Sequence, residues 1–152
     1  SPPVAAPLGF EGGQPVENPE DGYLTPWAAG GLLATSGDLV RFWHAFLSGR
    51  VGPETVVRSA FTGMYPMGPQ FPAPPGTRLF YGRGVQFTDA PGGAEGPGAL
   101  LEHSGGIRGF NAIVAWAADD GVFISVMAND RQVPAAAGLW RVLQVVRRHR
   151  AR

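Results

Sequence analysis

Residues 100–128 read LLEHSGGIRGFNAIVAWAADDGVFISVMA, and three apolar runs lie within them. Leu100 to His103 leads into Ser104-Gly105-Gly106, Ala112 to Trp116 is the second run, and Val122 to Ala128 is the third. Each is too short for a helix and rich in β-branched residues, so each reads as a strand. Between the last two stands Ala118-Asp119-Asp120-Gly121. Asp-Gly between apolar runs is a hairpin signal, because both residues tolerate the positive φ that a tight turn requires. The reading is an antiparallel meander.

The chain on either side fits such a sheet. Pro134 opens a final helix, where a missing N–H does no harm. Ala137, Trp140, Val142, Leu143, Val145 and Val146 give that helix a broad apolar face. Arg147, Arg148, His149, Arg150 and Arg152 form a basic end that suits the negative end of a helix dipole. Upstream, Leu79 to Phe87 reads as a strand interrupted by Gly82 and Gly84, and Met64 to Gly76, with five prolines, reads as loop. Pro53 to Phe61 is a candidate short helix. Thr35-Ser36-Gly37-Asp38 is a helix start, a hydroxyl cap followed three residues later by an acid. Leu39, Phe42, Trp43, Phe46 and Leu47 then recur on one helical face, and Gly49 is a natural stop. Residues 1–29, crowded with Pro and Gly, show no apolar period and are expected to form an extended surface segment.

The fold class expected is α+β: an antiparallel β-sheet flanked by a C-terminal helix, with part of an all-α subdomain over residues 30–78 and the sheet strands and last helix over 79–152. A length of 152 residues fits one domain with a real core.

Composition removes several kinds of chemistry. Basic and acidic residues number 12 each, so no bulk field attracts a polyanion, and nucleic acid is not expected as a partner. All twelve basic residues are Arg, an Arg-rich usage that a GC-rich genome explains. With no Lys, no amine side chain of this chain can act. The absence of Cys excludes thiolate catalysis, disulfides and Cys-ligated metals. His44, His103 and His149 have no metal-ligand spacing, so neither a metal nor a cofactor is expected. No apolar run reaches the ~18 residues of a membrane span. No signal peptide pattern is visible, and secreted and cytosolic compartments both stay open.

Chemistry concentrates at Glu102-His103-Ser104-Gly105-Gly106-Ile107-Arg108-Gly109-Phe110. An imidazole and a hydroxyl arrive together at a strand end. The glycines let a ligand approach the backbone closely. A His-Ser pair can orient a carboxylate or assist proton transfer. Taken alone, the same letters also describe a plain turn with a satisfied histidine.

Two further segments stand with it in a known order. Ala29-Gly30-Gly31-Leu32-Leu33-Ala34-Thr35-Ser36-Gly37-Asp38-Leu39 resembles the Gly-Gly-Leu-x-Ser-Thr-x-x-Asp-Leu segment of the β-lactamase/penicillin-binding-protein superfamily. Tyr81-Gly82-Arg83-Gly84-Val85 is similar to its Tyr-Gly-x-Gly strand, and His103-Ser104-Gly105-Gly106 through Asn129 to its His-Thr-Gly-Gly…Gly-Phe…Asn pattern. The likeness is strongest to the class C β-lactamase, esterase and D-aminopeptidase branch and covers roughly residues 22–148. It implies a serine hydrolase that passes an acyl group to a serine and then to water. His103 and Ser104 would line the strand beside the substrate, the Gly106 N–H would be an oxyanion donor, and Gly105 and Arg108 would contact substrate. Tyr23 and Trp27 would lie near the cleft.

The departures shape the expectation. In the family the nucleophile lies in Ser-x-x-Lys, accompanied by a Tyr-x-Asn element, and neither motif is present in this sequence. The resemblance therefore implies a C-terminal part of the domain, carrying the third motif, with nucleophile and lysine on a separate N-terminal chain as partner and a small acyl compound (ester, amide or β-lactam) as substrate. His in place of Lys in the third motif favours an esterase or peptidase. A non-catalytic binding or scaffold module, or an isolated fragment of the same fold, is the alternative.

Overall fold

The computed structural model of the chain describes residues 8–11, 14–17, 27–68, 75–93, 96–107, 109–130 and 132–152. Two short strands come first, β1 (Leu8–Glu11) and β2 (Gln14–Glu17), antiparallel, with Glu11 opposite Gln14. The extended segment expected over 1–29 thus contains a ladder of its own. A 3-10 turn, Trp27–Ala29, precedes the first helix.

Helix α1 (Ser36–Leu47) starts where the sequence indicates. The Thr35 hydroxyl accepts the Asp38 N–H at 3.1 Å while the Asp38 carboxylate accepts the Thr35 N–H at 3.1 Å, a reciprocal cap that satisfies two orphan donors. The Thr35 side chain, then its backbone, then Arg41 hold the Asp38 carboxyl below its ordinary range. Helix α2 (Glu54–Ala60) follows within the segment read as a short helix.

The main sheet has six strands in chain order, every neighbour antiparallel: β3 (Tyr65–Met67), β4 (Arg78–Tyr81), β5 (Gln86–Asp89), β6 (Ala99–Ile107), β7 (Phe110–Ala117) and β8 (Val122–Ala128). The meander of the last three is as expected. The first three correct two expectations. The single strand over Leu79 to Phe87 is a hairpin, with Tyr81 opposite Gln86 and the Gly82 N–H donating to the Val85 carbonyl at 2.8 Å. Gly84 takes φ 78° in its turn. Gly82 answers a different need: a Cβ there would lie 2.1 Å from the Ala60 carbonyl oxygen, which accepts the Arg83 N–H at 3.0 Å. The hairpin backbone is pressed against the end of α2, and no side chain fits between them. The second correction is β3, inside the proline-rich stretch read as loop. As the sheet's outermost strand it tolerates Pro66, whose missing N–H is not demanded on the free side.

Helix α3 (Ala135–Arg150) packs on one face of the sheet against β7 and β8, burying Leu100, Ile113, Ala115, Ala117, Ile124, Leu139 and Leu143 together. Small residues at the contact let helix and sheet approach closely: a Cβ on Gly138 would come within 2.9 Å of Val126 Cγ1. The opposite face packs on α1 and α2 through Trp43, Ala60, Val85 and Val114. Strand β7 is therefore covered on both faces, which explains its near-continuous apolar run in place of an alternating one. The Trp43 indole N–H donates to the Leu101 carbonyl at 3.0 Å and ties α1 to β6.

The basic end of α3 does more than complement a dipole. Arg147 forms a two-oxygen ion pair with Asp120, at 2.6 Å from Nη2 and 2.8 Å from Nε, with both side chains mostly buried. Its remaining donors reach the carbonyls of Gly93, Gly96 and Pro97 at 2.6, 3.0 and 3.1 Å. One guanidinium thus joins the last helix, the β7–β8 turn and the loop before β6. The hydrogen bond from Arg147 is the main cause holding the Asp120 carboxyl below its ordinary range. Among the described residues, no helix is long and apolar enough to cross a membrane.

Candidate active site

Strand β6 carries the chemistry-bearing segment. Its pairing with β5 runs from Ala99 opposite Asp89 to Glu102 opposite Gln86 and stops there. Its pairing with β7 continues to Ile107 opposite Phe110. Among the described residues, His103 to Ile107 therefore have a strand partner on the β7 side only.

Alternation along a strand sends successive side chains to opposite faces. His103 lies opposite Val114, on the face covered by α1 and α2, and Ser104 lies opposite Ile113, on the α3 face. The two neighbours in sequence do not present their side chains to one side. They meet through the backbone: His103 Nδ1 lies 2.8 Å from the Ser104 carbonyl oxygen. A carbonyl only accepts, so Nδ1 carries the proton.

The other imidazole nitrogen meets a residue that sequence reading had not placed among the site residues. Tyr81, at the end of β4, brings its hydroxyl to 3.1 Å from His103 Nε2, past the point where β5 ends. The rings sit edge-on with centroids 5.9 Å apart, and the ring of Tyr65 of β3 lies 6.1 Å from that of Tyr81. The signal for Tyr81 was present in the Tyr-Gly-x-Gly letters. Finding it required reading those letters as a hairpin.

Glu102, the residue before His103, is the second unforeseen feature. Its carboxylate accepts a hydrogen bond from the hydroxyl of Thr88, which is buried. Burial pushes the Glu102 carboxyl above its ordinary range, against the opposing pull of that hydrogen bond.

Gly105 and Gly106 are exposed. Neither takes a left-handed φ, a Cβ on Gly105 would meet nothing within 4 Å, and one on Gly106 would meet only the Phe110 carbonyl oxygen at 3.9 Å. Nothing among the described residues requires glycine at either position. Trp27 begins the 3-10 turn, but its side chain lies outside the described part, as do Tyr23 and Arg108 altogether. His44 is occupied elsewhere, its Nδ1 taking the Arg50 guanidinium at 2.6 Å and its ring resting on Phe123. Among the described residues, no group of three His, Asp or Glu side chains is placed to hold a metal ion.

An antiparallel sheet flanked by a C-terminal helix is the arrangement the sequence resemblance implied; the 30–78 segment, expected as part of an all-α subdomain, instead packs α1 on the sheet and adds strand β3 to it. Residues 2–147 match the family model described as Beta-lactamase. The chain belongs to the Beta-lactamase family. No curated protein and no solved structure matches it. The six-stranded sheet with its flanking helices is consistent with a partial α+β fold of that family, which is a serine-hydrolase-like fold.

Proposed function

We propose that this chain is the C-terminal part of a β-lactamase-like domain and supplies the third active-site motif of a serine hydrolase that transfers an acyl group to water. The observation that carries the reading is the bare edge of β6 at Gly105 and Gly106, where open space on the chain's own terms leaves room for a substrate to lie against the backbone. Gly106 offers its N–H as an oxyanion donor, and His103 and Ser104 shape the strand on either side. Arg108, Tyr23 and Trp27 contact substrate or line the cleft. The chain has no Lys, so the nucleophile's activating amine comes from outside these residues, on a second polypeptide with Ser-x-x-Lys and Tyr-x-Asn. A histidine in place of the motif lysine favours an ester or peptide over a β-lactam as substrate, a preference that rests on family likeness.

The test is the intact mass of natively purified protein, followed by labelling with a fluorophosphonate serine probe. The expected result is a co-purifying chain that takes the label, with turnover falling about a hundredfold in His103→Ala. If the 152-residue chain is alone and unlabelled, a binding module takes the place of this reading. Hydrolysis by that chain alone would overturn the two-chain arrangement.

A further inference from the structure

Both nitrogens of His103 are already engaged within the chain. Nδ1–H donates to the Ser104 carbonyl at 2.8 Å, so in the neutral ring Nε2 holds a lone pair and can only accept. The group 3.1 Å from it is the Tyr81 hydroxyl, which therefore donates. A phenol oxygen that donates its one proton still has acceptor capacity, whereas the neutral imidazole has no polar position left.

The phenol is held by its neighbours. Its ring contacts those of Tyr65 and His103. The next residue, Gly82, sits so close to the Ala60 carbonyl that the hairpin cannot shift toward α2. Two backbone hydrogen bonds, Gly82 N–H to Val85 and Arg83 N–H to Ala60, fix the turn. The adjoining Val85 is buried in the same cluster as Trp43 and Val114. A side chain on a mobile loop would lose most of such a hydrogen bond to ordering entropy, and one fixed in this way does not.

We infer that His103 is the positioning residue for Tyr81: the Ser104 carbonyl holds the imidazole as the Nδ1–H tautomer, its Nε2 takes the phenol proton, and the polar atom offered to an incoming molecule at this edge is the Tyr81 oxygen as an acceptor and not a free histidine. The inference deepens the hydrolase reading and rests on it for its catalytic consequence, but the tautomer itself is a property of this chain.

The experiment separates the two. Long-range proton–nitrogen correlation spectra of the 152-residue chain, with the His103 signals assigned by their loss in His103→Asn, report which nitrogen carries the proton. The expected result is a dominant Nδ1–H form in the native protein and, in Tyr81→Phe, the same tautomer with the Nε2 resonance moved by loss of its hydrogen bond, since that change keeps the ring and removes only the hydroxyl. A native His103 found mainly as Nε2–H, or an Nε2 resonance unmoved by Tyr81→Phe, overturns the inference; should the variant fail to fold, a native Nε2 resonance in the range of an unbonded imidazole nitrogen does the same. In the assembled hydrolase, Tyr81→Phe lowers kcat roughly ten- to a hundredfold with KM within about twofold. Loss of the Tyr81–His103 hydrogen bond without any change in kcat overturns the catalytic part, and a wild-type assembly with no turnover sinks the hydrolase reading while leaving the tautomer result standing.

Discussion

Replacing Gly106 with alanine should separate what this strand edge does for folding from what it does for binding. The backbone at Gly106 lies outside the left-handed region, and the nearest atom to the added methyl would be the Phe110 carbonyl oxygen at 3.9 Å, an ordinary contact. The substitution therefore brings no steric penalty inside the chain. It removes the extra backbone freedom that glycine loses on folding, worth about 0.5–1 kcal/mol in a strand. For a chain of this size that is a rise in melting temperature of roughly 2 °C. In the assembled hydrolase the methyl occupies the space where a substrate must lie against the backbone, and misplacement of the reacting group by about 1 Å costs on the order of a hundredfold in turnover. Scanning calorimetry on the 152-residue chain and ester turnover by the assembly are the two assays. A melting temperature lowered by more than about 3 °C would mean that the glycine serves internal packing after all. Turnover within about twofold of wild type would mean that nothing approaches this edge.

Arg147→Ala removes the ion pair with Asp120 and three donors to loop carbonyls, and should lower stability by about 2–4 kcal/mol, a drop in melting temperature on the order of 10 °C. Arg147→Lys recovers little of it, because an ammonium cannot serve Asp120 and the carbonyls with a planar fork. The Asp120 carboxyl is depressed in the folded chain, so the unfolded chain binds protons first as pH falls; the contribution is complete above the ordinary carboxylate range and disappears as pH falls through the depressed value, narrowing the gap between wild type and Arg147→Ala in acid melts. Glu102→Gln has the opposite sign. The folded Glu102 carboxyl is raised, so stability is fullest below its unfolded value near 4.5 and is lost as pH rises through the folded one; the neutral variant should melt higher at pH 7 and show none of that loss, and a variant no more stable than wild type at pH 7 would contradict the assignment.

Legibility in the sequence followed the range of the interactions. The reciprocal cap of Thr35 and Asp38, the β7–β8 turn at Asp119-Asp120-Gly121 and the apolar faces of α1 and α3 all depend on residues a few positions apart, and each was readable. The β4–β5 hairpin was not, because Leu79, Tyr81, Val85 and Phe87 continue an apolar alternation across the turn, and the glycines read as interruptions. Gly82 is glycine because of the Ala60 carbonyl, a contact that no local pattern announces. Arg147 and Asp120 stand 27 positions apart and Tyr81 and His103 22 apart, so each was read in the terms of its own element, as a helix-end cation, a turn residue or a strand aromatic. Placing His103 and Ser104 side by side in a site was the natural reading of adjacent letters; the pleat sends them to opposite faces.

Constraint from within the chain also shows where the chain is not self-sufficient. Gly82, Trp43 and Arg147 each have an internal reason, an atom that would clash or a partner that would be orphaned. Gly105 and Gly106 have none among the described residues, and only Ser104 separates them from a histidine whose two nitrogens are both committed. A strand that weakens itself with two glycines, at the point where its neighbour β5 stops, gains nothing in folding from doing so. On the hydrolase proposal the occupant of that edge comes from outside these residues, where β6 offers backbone N–H and C=O groups. On the further inference above, the polar side-chain atom beside them is the Tyr81 oxygen, and His103 acts through Tyr81.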